Sequence, residues 1–318
     1  MALKRQEAYN PTFMPAIAAT DAPASARAFR LGLAALLLGA LAISSSPIFV
    51  RLSELGPTAT GFHRTALALP LLAFWWWRMQ DGHAPPANRW REFRPLLLPG
   101  LIFAGDLFFW HLSVAYTSVA NATLLANMAP VVVTAGAWLL LGERISGRFL
   151  IGLAAALAGT SMLVGSSVDL GQRFVLGDAF ALVTALFYGS YLLSVAGLRG
   201  RYGTARIMYV TTAVSAAALL PLALIMGESI WPTTLHGWLM LIGLAWICQA
   251  FGQAMIAYAL GHLPAAYSSL VILGQPFVSA FFGWIILDEA LSPLQMAGAL
   301  AVLAGIILAR HPRQAANG

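Results

Sequence analysis

A single cysteine, Cys248, stands among 318 residues. One thiol builds neither a disulfide framework nor a zinc cluster of several cysteines. Its place within an apolar run makes it a small buried apolar residue. Charge is scarce as well: charged residues make up 9% of the chain and hydrophobic ones 59%, where soluble domains carry about a quarter charged. Water does not solvate such an exterior, so a bilayer must. Lysine is nearly missing too, since Lys4 is the one lysine and every other of the 18 basic residues is arginine, which points to a GC-rich bacterial genome. The net charge of +6 comes from residues scattered between apolar runs, not from a patch, so no nucleic-acid partner is expected. The sequence lacks HExxH, G-x-S-x-G and Walker A patterns. It therefore offers no assembled nucleophile, metal site or phosphate loop, and we expect no enzyme, cofactor or metal. Without soluble domains there is also nothing to drive ATP-powered pumping.

What is present is long apolar runs. About 20 such residues cross a hydrocarbon core, and on that ruler ten spans are expected, near 31–50, 58–77, 95–116, 120–141, 148–166, 174–195, 207–226, 235–258, 265–287 and 292–309. No alternating ten-residue pattern supports a barrel. The first run has the length of a signal peptide. It lacks a cleavage site, however, and it fills the first slot of a duplication, so it reads as a span. Residues 1–30 are polar and broken by Pro11, Pro15 and Pro23, a cytoplasmic tail, and 311–318 form a second one.

The duplication is direct. Laid over one another without a gap, Pro130 meets Pro276, Trp138 meets Trp284, Glu143 meets Glu289, Ser146 meets Ser292, Gly152 meets Gly298 and Ala158-Gly159 meets Ala304-Gly305. A period this long is a duplicated half-molecule and not a solenoid; the halves are 31–166 and 174–310. With the N-terminus inside, Lys4, Arg5, Arg27, Arg30, Arg78, Arg89, Arg91, Arg94, Arg144, Arg148, Arg199, Arg201, Arg206, Arg310 and Arg313 fall on the cytoplasmic side, and Arg51 and Arg173 outside. Five helices is an odd number, so the second half is inserted upside down. The expected fold is an all-α integral membrane protein with ten transmembrane helices as two inverted five-helix repeats, in the inner membrane with both termini cytoplasmic. Many secondary transporters use this arrangement for alternating access.

Pro130 and Pro276 should kink their helices. Ser146 and Ser292 read as N-caps, and Glu143 and Glu289 should sit near the positive end of the helix that follows, a structural role. Gly152 and Gly159, like Gly298 and Gly305, lie seven apart and give close-packing faces for scaffold or subunit contact. Ionisable groups inside the bilayer are costly unless paired or hydrated. Asp106, mid-span, shares a stripe with Trp110 and Ser113, while His111 points elsewhere, towards the second span or a lumen edge. Arg64, following His63, lies where its guanidinium reaches towards Asp106. A structural ion pair and a gate or proton-linked switch both fit this pair. Asn121, Asn127, Gln249, Gln253, Gln275, Tyr188, Tyr191 and the Ser44-Ser45-Ser46-Pro47 interruption complete the polar candidates. Each alone is explained by helix-to-helix hydrogen bonding. Their concentration on six spans points to a moderately polar, aromatic, nearly neutral cavity.

Two five-helix halves, each with P-x12-E and then a Gly-containing helix, resemble the EamA-type branch of the drug/metabolite transporter superfamily. The most specific stretches are TSVANATLLANMAPVVVTAGAWLLLGERIS and LPAAYSSLVILGQPFVSAFFGWIILDEALSPLQMAGA, with SSSPIFVRLSELGPTATGFHRTALALPLL as a third; Asp288 departs by standing where the first half has Gly142. The resemblance implies a ten-helix transporter of small metabolites such as amino acids, with a central cavity. The expected partners are thus a small-molecule substrate and the lipid bilayer, with a coupling proton at Asp106 or His111 and a homodimer left open. An intramembrane enzyme and a passive membrane scaffold are the competing classes.

Overall fold

The structure, a computed structural model, describes residues 26–79, 89–117, 119–165, 175–278 and 292–309, and these are helical with short connections. In chain order the elements are α1 (Ala26–Ile43), α2 (Ser46–Arg51), α3 (Pro57–Ala66), α4 (Leu69–Met79), α5 (Arg89–Tyr116), α6 (Val119–Ala126), α7 (Ala129–Leu140), α8 (Gly147–Gly165), α9 (Val175–Leu198), α10 (Thr204–Ile225), α11 (Leu235–Gly243), a π-helical segment (Leu244–Gln253), α12 (Ala254–Ala259), α13 (Ala265–Ile272) and α14 (Pro293–Ala309). Among the described residues five helices are long and apolar enough to cross a membrane: Ala26–Arg51, Glu92–Tyr116, Val175–Leu198, Thr204–Ile225 and Leu235–Ala259. Shorter apolar helices run over Leu124–Leu140, Gly147–Met162, Ala265–Val278 and Pro293–Ala309. The first helix begins at Ala26, ahead of the expected start at Leu31. Large apolar side chains face outward all round, Ile225 at 79% exposure and Ile307 at 70% among them. Only hydrocarbon accepts such a surface without cost.

Four apolar runs are broken at mid-length, and each break has a proline just inside the helix that resumes. Pro47 opens α2, Pro70 is the second residue of α4, Pro130 the second of α7, and Pro276 the second of the helical stretch 275–278. A proline has no N–H for the carbonyl four residues back, but it suits a first helical turn. The kinks expected at Pro130 and Pro276 are therefore full breaks. The Leu67 carbonyl at the α3–α4 break is met by the Trp246 indole N–H at 3.2 Å. The Ser44 hydroxyl at the α1–α2 break donates back to Ala40 O at 2.7 Å and reaches Gln275 O at 3.3 Å.

The glycine faces meet each other. A methyl on Gly152 would stand 2.5 Å from Gly305 O, and one on Gly159 would stand 2.6 Å from Gly298 O, so α8 and α14 touch backbone to backbone. The small-residue stripe is thus consumed within the chain. The N-cap reading of the serines holds as well. Ser146 Oγ accepts from the Phe149 amide, and Ser292 with Gln295 forms a reciprocal capping box.

Candidate functional site

Arg64 sits in the last turn of α3, beside the break, and is buried. Its Nε donates to Gln249 Oε1 and its Nη1 to Ser46 Oγ, both at 3.3 Å. Gln249 in turn donates to Thr212 Oγ1 of α10 at 3.1 Å. One guanidinium therefore ties the start of α2 and the end of α3 to the π-helical segment of the second half. Asp106 of α5 is buried and lies in the field of Arg64, yet the two do not close to ion-pair distance. The guanidinium expected to reach for the carboxylate is instead held by a serine and an amide. Asp106 and Arg64 are thus buried neighbours without an ion pair between them.

His111 turns from Asp106 towards α3, as its spacing indicates: its Cε1 stands 3.3 Å from where a methyl on Gly61 would lie. Its Nδ1–H donates to Leu107 O at 2.5 Å, since a carbonyl only accepts, and Nε2 is buried with no partner among the described residues. Trp110 packs edge-on against the His111 ring at 4.9 Å, and the Ser113 hydroxyl is spent on Trp110 O. Tyr191 stacks on Phe103 at 4.6 Å and lies beside Tyr188 at 6.5 Å. Gln253 faces both phenols, and its Nε2 has no hydrogen bond among the described residues. Gln249 and Gln253 lie on the π-helical segment, a wide-turn geometry that recurs at functional sites. Gln275 lies at the break before Pro276, its Nε2 buried and without a partner among the described residues. Asn127 lies at the α6–α7 break and is half-buried. The side chain of Asn121 and all of Glu289 lie outside the described residues. Cys248 is fully buried, its thiol 3.4 Å from Ala42 O.

The acidic residues of the loops do something the sequence did not indicate. Glu143 caps a helix start, but that of α13 in the other half and not that of α8: its carboxylate accepts from the Ala265 amide at 2.6 Å and the Ala266 amide at 3.2 Å. Burial is the larger influence on it and lifts its carboxyl above the ordinary value, with the two amides pulling down. Glu228 accepts from the Thr58 and Ala59 amides at 3.2 and 2.7 Å, at the start of α3. Glu54 accepts from the Thr233 amide at 2.9 Å, the Thr234 amide at 3.2 Å and both threonine hydroxyls, at the start of α11. Those bonds, the Thr234 hydroxyl first, hold Glu54 at about 2. Each carboxylate belongs to one repeat and each helix start to the other. Glu143 and Glu228 are launched identically, by a glycine in the left-handed region, Gly142 at φ 68° and Gly227 at φ 70°, which ends the preceding helix. That Gly-Glu pair closing an apolar run was the signal available for Glu228. Thr212, Glu54 and Glu228 were all missed.

The EamA-like transporter family matches this sequence twice, over residues 30–165 and 175–310. The chain belongs to that family. An uncharacterised transporter of Archaeoglobus fulgidus is 25% identical over 89% of this chain and 97% of its own length. The pseudopaline exporter of Pseudomonas aeruginosa is 28% identical over 68% of this chain and 74% of the exporter. The threonine/homoserine exporter of Escherichia coli is 25% identical over 66% and 68% respectively. A solved crystal structure overlays with a TM-score of 0.75 over 90% of this chain and 96% of its own, at 18% identity, a likeness of fold alone. The protein is thus a membrane-embedded, multi-pass member of a transporter family, and the family and relatives carry the names of transporters and not of enzymes.

Proposed function

We propose that this EamA-family protein exports a small zwitterionic metabolite of the amino-acid type across the inner membrane, by alternating access between two inverted five-helix halves that together span the bilayer ten times. The observation that carries the reading is the buried pair of Arg64 and Asp106, held in one polar cluster without bridging. A ligand carrying both a carboxylate and an ammonium satisfies both, the guanidinium fork receiving the carboxylate and Asp106 the ammonium. The unpartnered Nε2 atoms of Gln253 and Gln275 and the Tyr188 and Tyr191 hydroxyls supply the remaining polar contacts. The names of the pseudopaline and threonine/homoserine exporters support both the substrate class and the direction.

In this reading the breaks at Pro47, Pro70, Pro130 and Pro276 are the joints. The carboxylate caps are the gates, with Glu54 and Glu228 closing the outer face and Glu143 the inner one. The test is thermal stabilisation of the purified protein across amino acids, nucleosides and organic cations, because binding to the folded state raises apparent stability by mass action. Amino acids should raise Tm, and Asp106→Asn and Arg64→Gln should each abolish the gain. Stabilisation by organic cations that survives Arg64→Gln would reject the zwitterion. Proton coupling at Asp106 or His111 is tested by flux in proteoliposomes with and without a pH gradient; flux indifferent to the gradient removes it.

A further inference from the structure

Between α4 and the π-helical segment with α12 runs a groove of about 250 Å³, lined by Leu71, Leu72, Trp75, Trp246, Phe251 and Met255, with Ala250 and Ala254 at its floor. Its lining is almost wholly apolar, and several of its walls, Leu71, Trp246 and Phe251, are exposed to the surroundings. The small residues that let one helix dock on another lie only at its base. One charged residue stands in line with it. Leu71, Trp75 and Arg78 follow at i, i+4 and i+7 along α4, one face of that helix, and Arg78 is exposed with no ion pair among the described residues.

We infer that this groove is a binding site for one acyl chain of an anionic phospholipid whose phosphate rests on Arg78. The assignment to the cytoplasmic leaflet rests on the orientation proposed above. Anionic lipids concentrate in that leaflet and attract basic residues at the membrane surface. The chain would press on two features of the transport site at once. Trp246 forms a wall of the groove while its indole N–H holds the Leu67 carbonyl at the α3–α4 break, next to Arg64. Ala250 and Phe251 belong to the segment that carries Gln249 and Gln253.

The test uses the full-length protein, delipidated in mild detergent and titrated with dioleoyl phosphatidylglycerol or dioleoyl phosphatidylcholine. Retained lipid is counted by native mass spectrometry, and Tm is followed in parallel. Neither readout requires a substrate, an orientation or transport, so failure here is distinct from failure of the exporter reading. The expected result is one tightly held phosphatidylglycerol, with a Tm gain at least twice that from phosphatidylcholine. Arg78→Gln, an exposed change that leaves the fold alone, should reduce the phosphatidylglycerol gain to the phosphatidylcholine level. Ala254→Leu, which fills the floor, should remove retention of both; if it fails to fold, Ala250→Val takes its place. Equal retention of both lipids by the native protein and Arg78→Gln overturns the headgroup assignment. Retention untouched by the floor variants overturns the groove. Dimers formed by Phe251→Cys under oxidant would assign the face to a second copy of the chain and overturn the lipid.

Discussion

Arg64 shows why its position calls for a planar fork. Nε and Nη1 leave the same guanidinium in different directions, one to Gln249 and one to Ser46, and an ammonium does not reproduce that geometry. Arg64→Lys keeps the charge and loses the fork. Those two bonds are made in the free protein, and hydrogen bonds to charged groups contribute about 1.5–3 kcal/mol, so Arg64→Lys should lower the Tm of the free protein. The gain in Tm from amino acids should shrink as well, because the fork that receives the carboxylate is gone. The acidic caps differ in their response to pH. Glu54 is held below its ordinary value, so its contribution is full above the unfolded carboxyl value and is lost as pH falls towards about 2. Glu143 is raised by burial, so folding favours its protonated form, and its contribution declines as pH rises through the raised folded value. On acidification Glu143 takes its proton first. Amide exchange at Ala265 and Ala266, corrected for intrinsic rate, should therefore speed up at a higher pH than exchange at Thr233 and Thr234. Loss of protection in the reverse order would show that burial does not govern Glu143. By the same argument Glu143→Gln should leave stability near neutral pH close to that of the native protein, while Glu54→Gln lowers it.

The helices show which parts of this arrangement were legible beforehand. Proline acts on its own chain within one turn, so a kink at Pro130 and Pro276 could be read from the residue alone. A full break could not, since Pro99 and Pro221 lie inside the unbroken α5 and α10. The glycines of α8 and α14 were legible for a similar reason, since a spacing of seven keeps one helix face whatever lies opposite. The sequence could not say what lay opposite, and the partner is the other half of the same chain. The π-helical segment left no local mark, because Leu244–Gln253 reads as an ordinary apolar run. Its packing against α1, α3 and α4 is tertiary and leaves no trace in the run itself. The caps were legible by half. Glutamate beside a helix start is a local reading, but which helix start is a tertiary matter, and Glu143 chose α13. Two outcomes follow at this scale. Gly152→Val drives a side chain into Gly305 O and should cost about 1–3 kcal/mol by overpacking, read as a lowered Tm, while Gly147→Ala, with nothing within 4 Å of the added methyl, should be silent. Gly227→Ala places a side chain at φ 70°; it should cost about 1–2 kcal/mol and loosen Glu228 from α3, seen as faster exchange at Thr58 and Ala59.

Across the whole molecule, the caps proposed as the outer gate, Glu54 and Glu228, and the one proposed as the inner gate, Glu143, are all made at the same time. If transport requires them to open in turn, tethering one face should stop the cycle. Cys248 is the native thiol and is buried, so introduced cysteines report with little background. Glu54→Cys with Thr234→Cys, joined by a short bifunctional linker, should abolish flux in proteoliposomes, and a cleavable linker should restore it on reduction. Undiminished flux in the tethered protein would show that the outer caps are static struts. The exchange of caps has a further consequence, at the ribosome. The first repeat enters the membrane before any of its partners exist: Glu54 awaits α11, Glu143 awaits α13, and the glycine face of α8 awaits α14, among the last helices to be synthesised. Nascent chains should therefore stay sensitive to protease and to membrane quality control until Pro293–Ala309 has been inserted. A chain truncated before that point should be degraded rather than accumulate as a stable half.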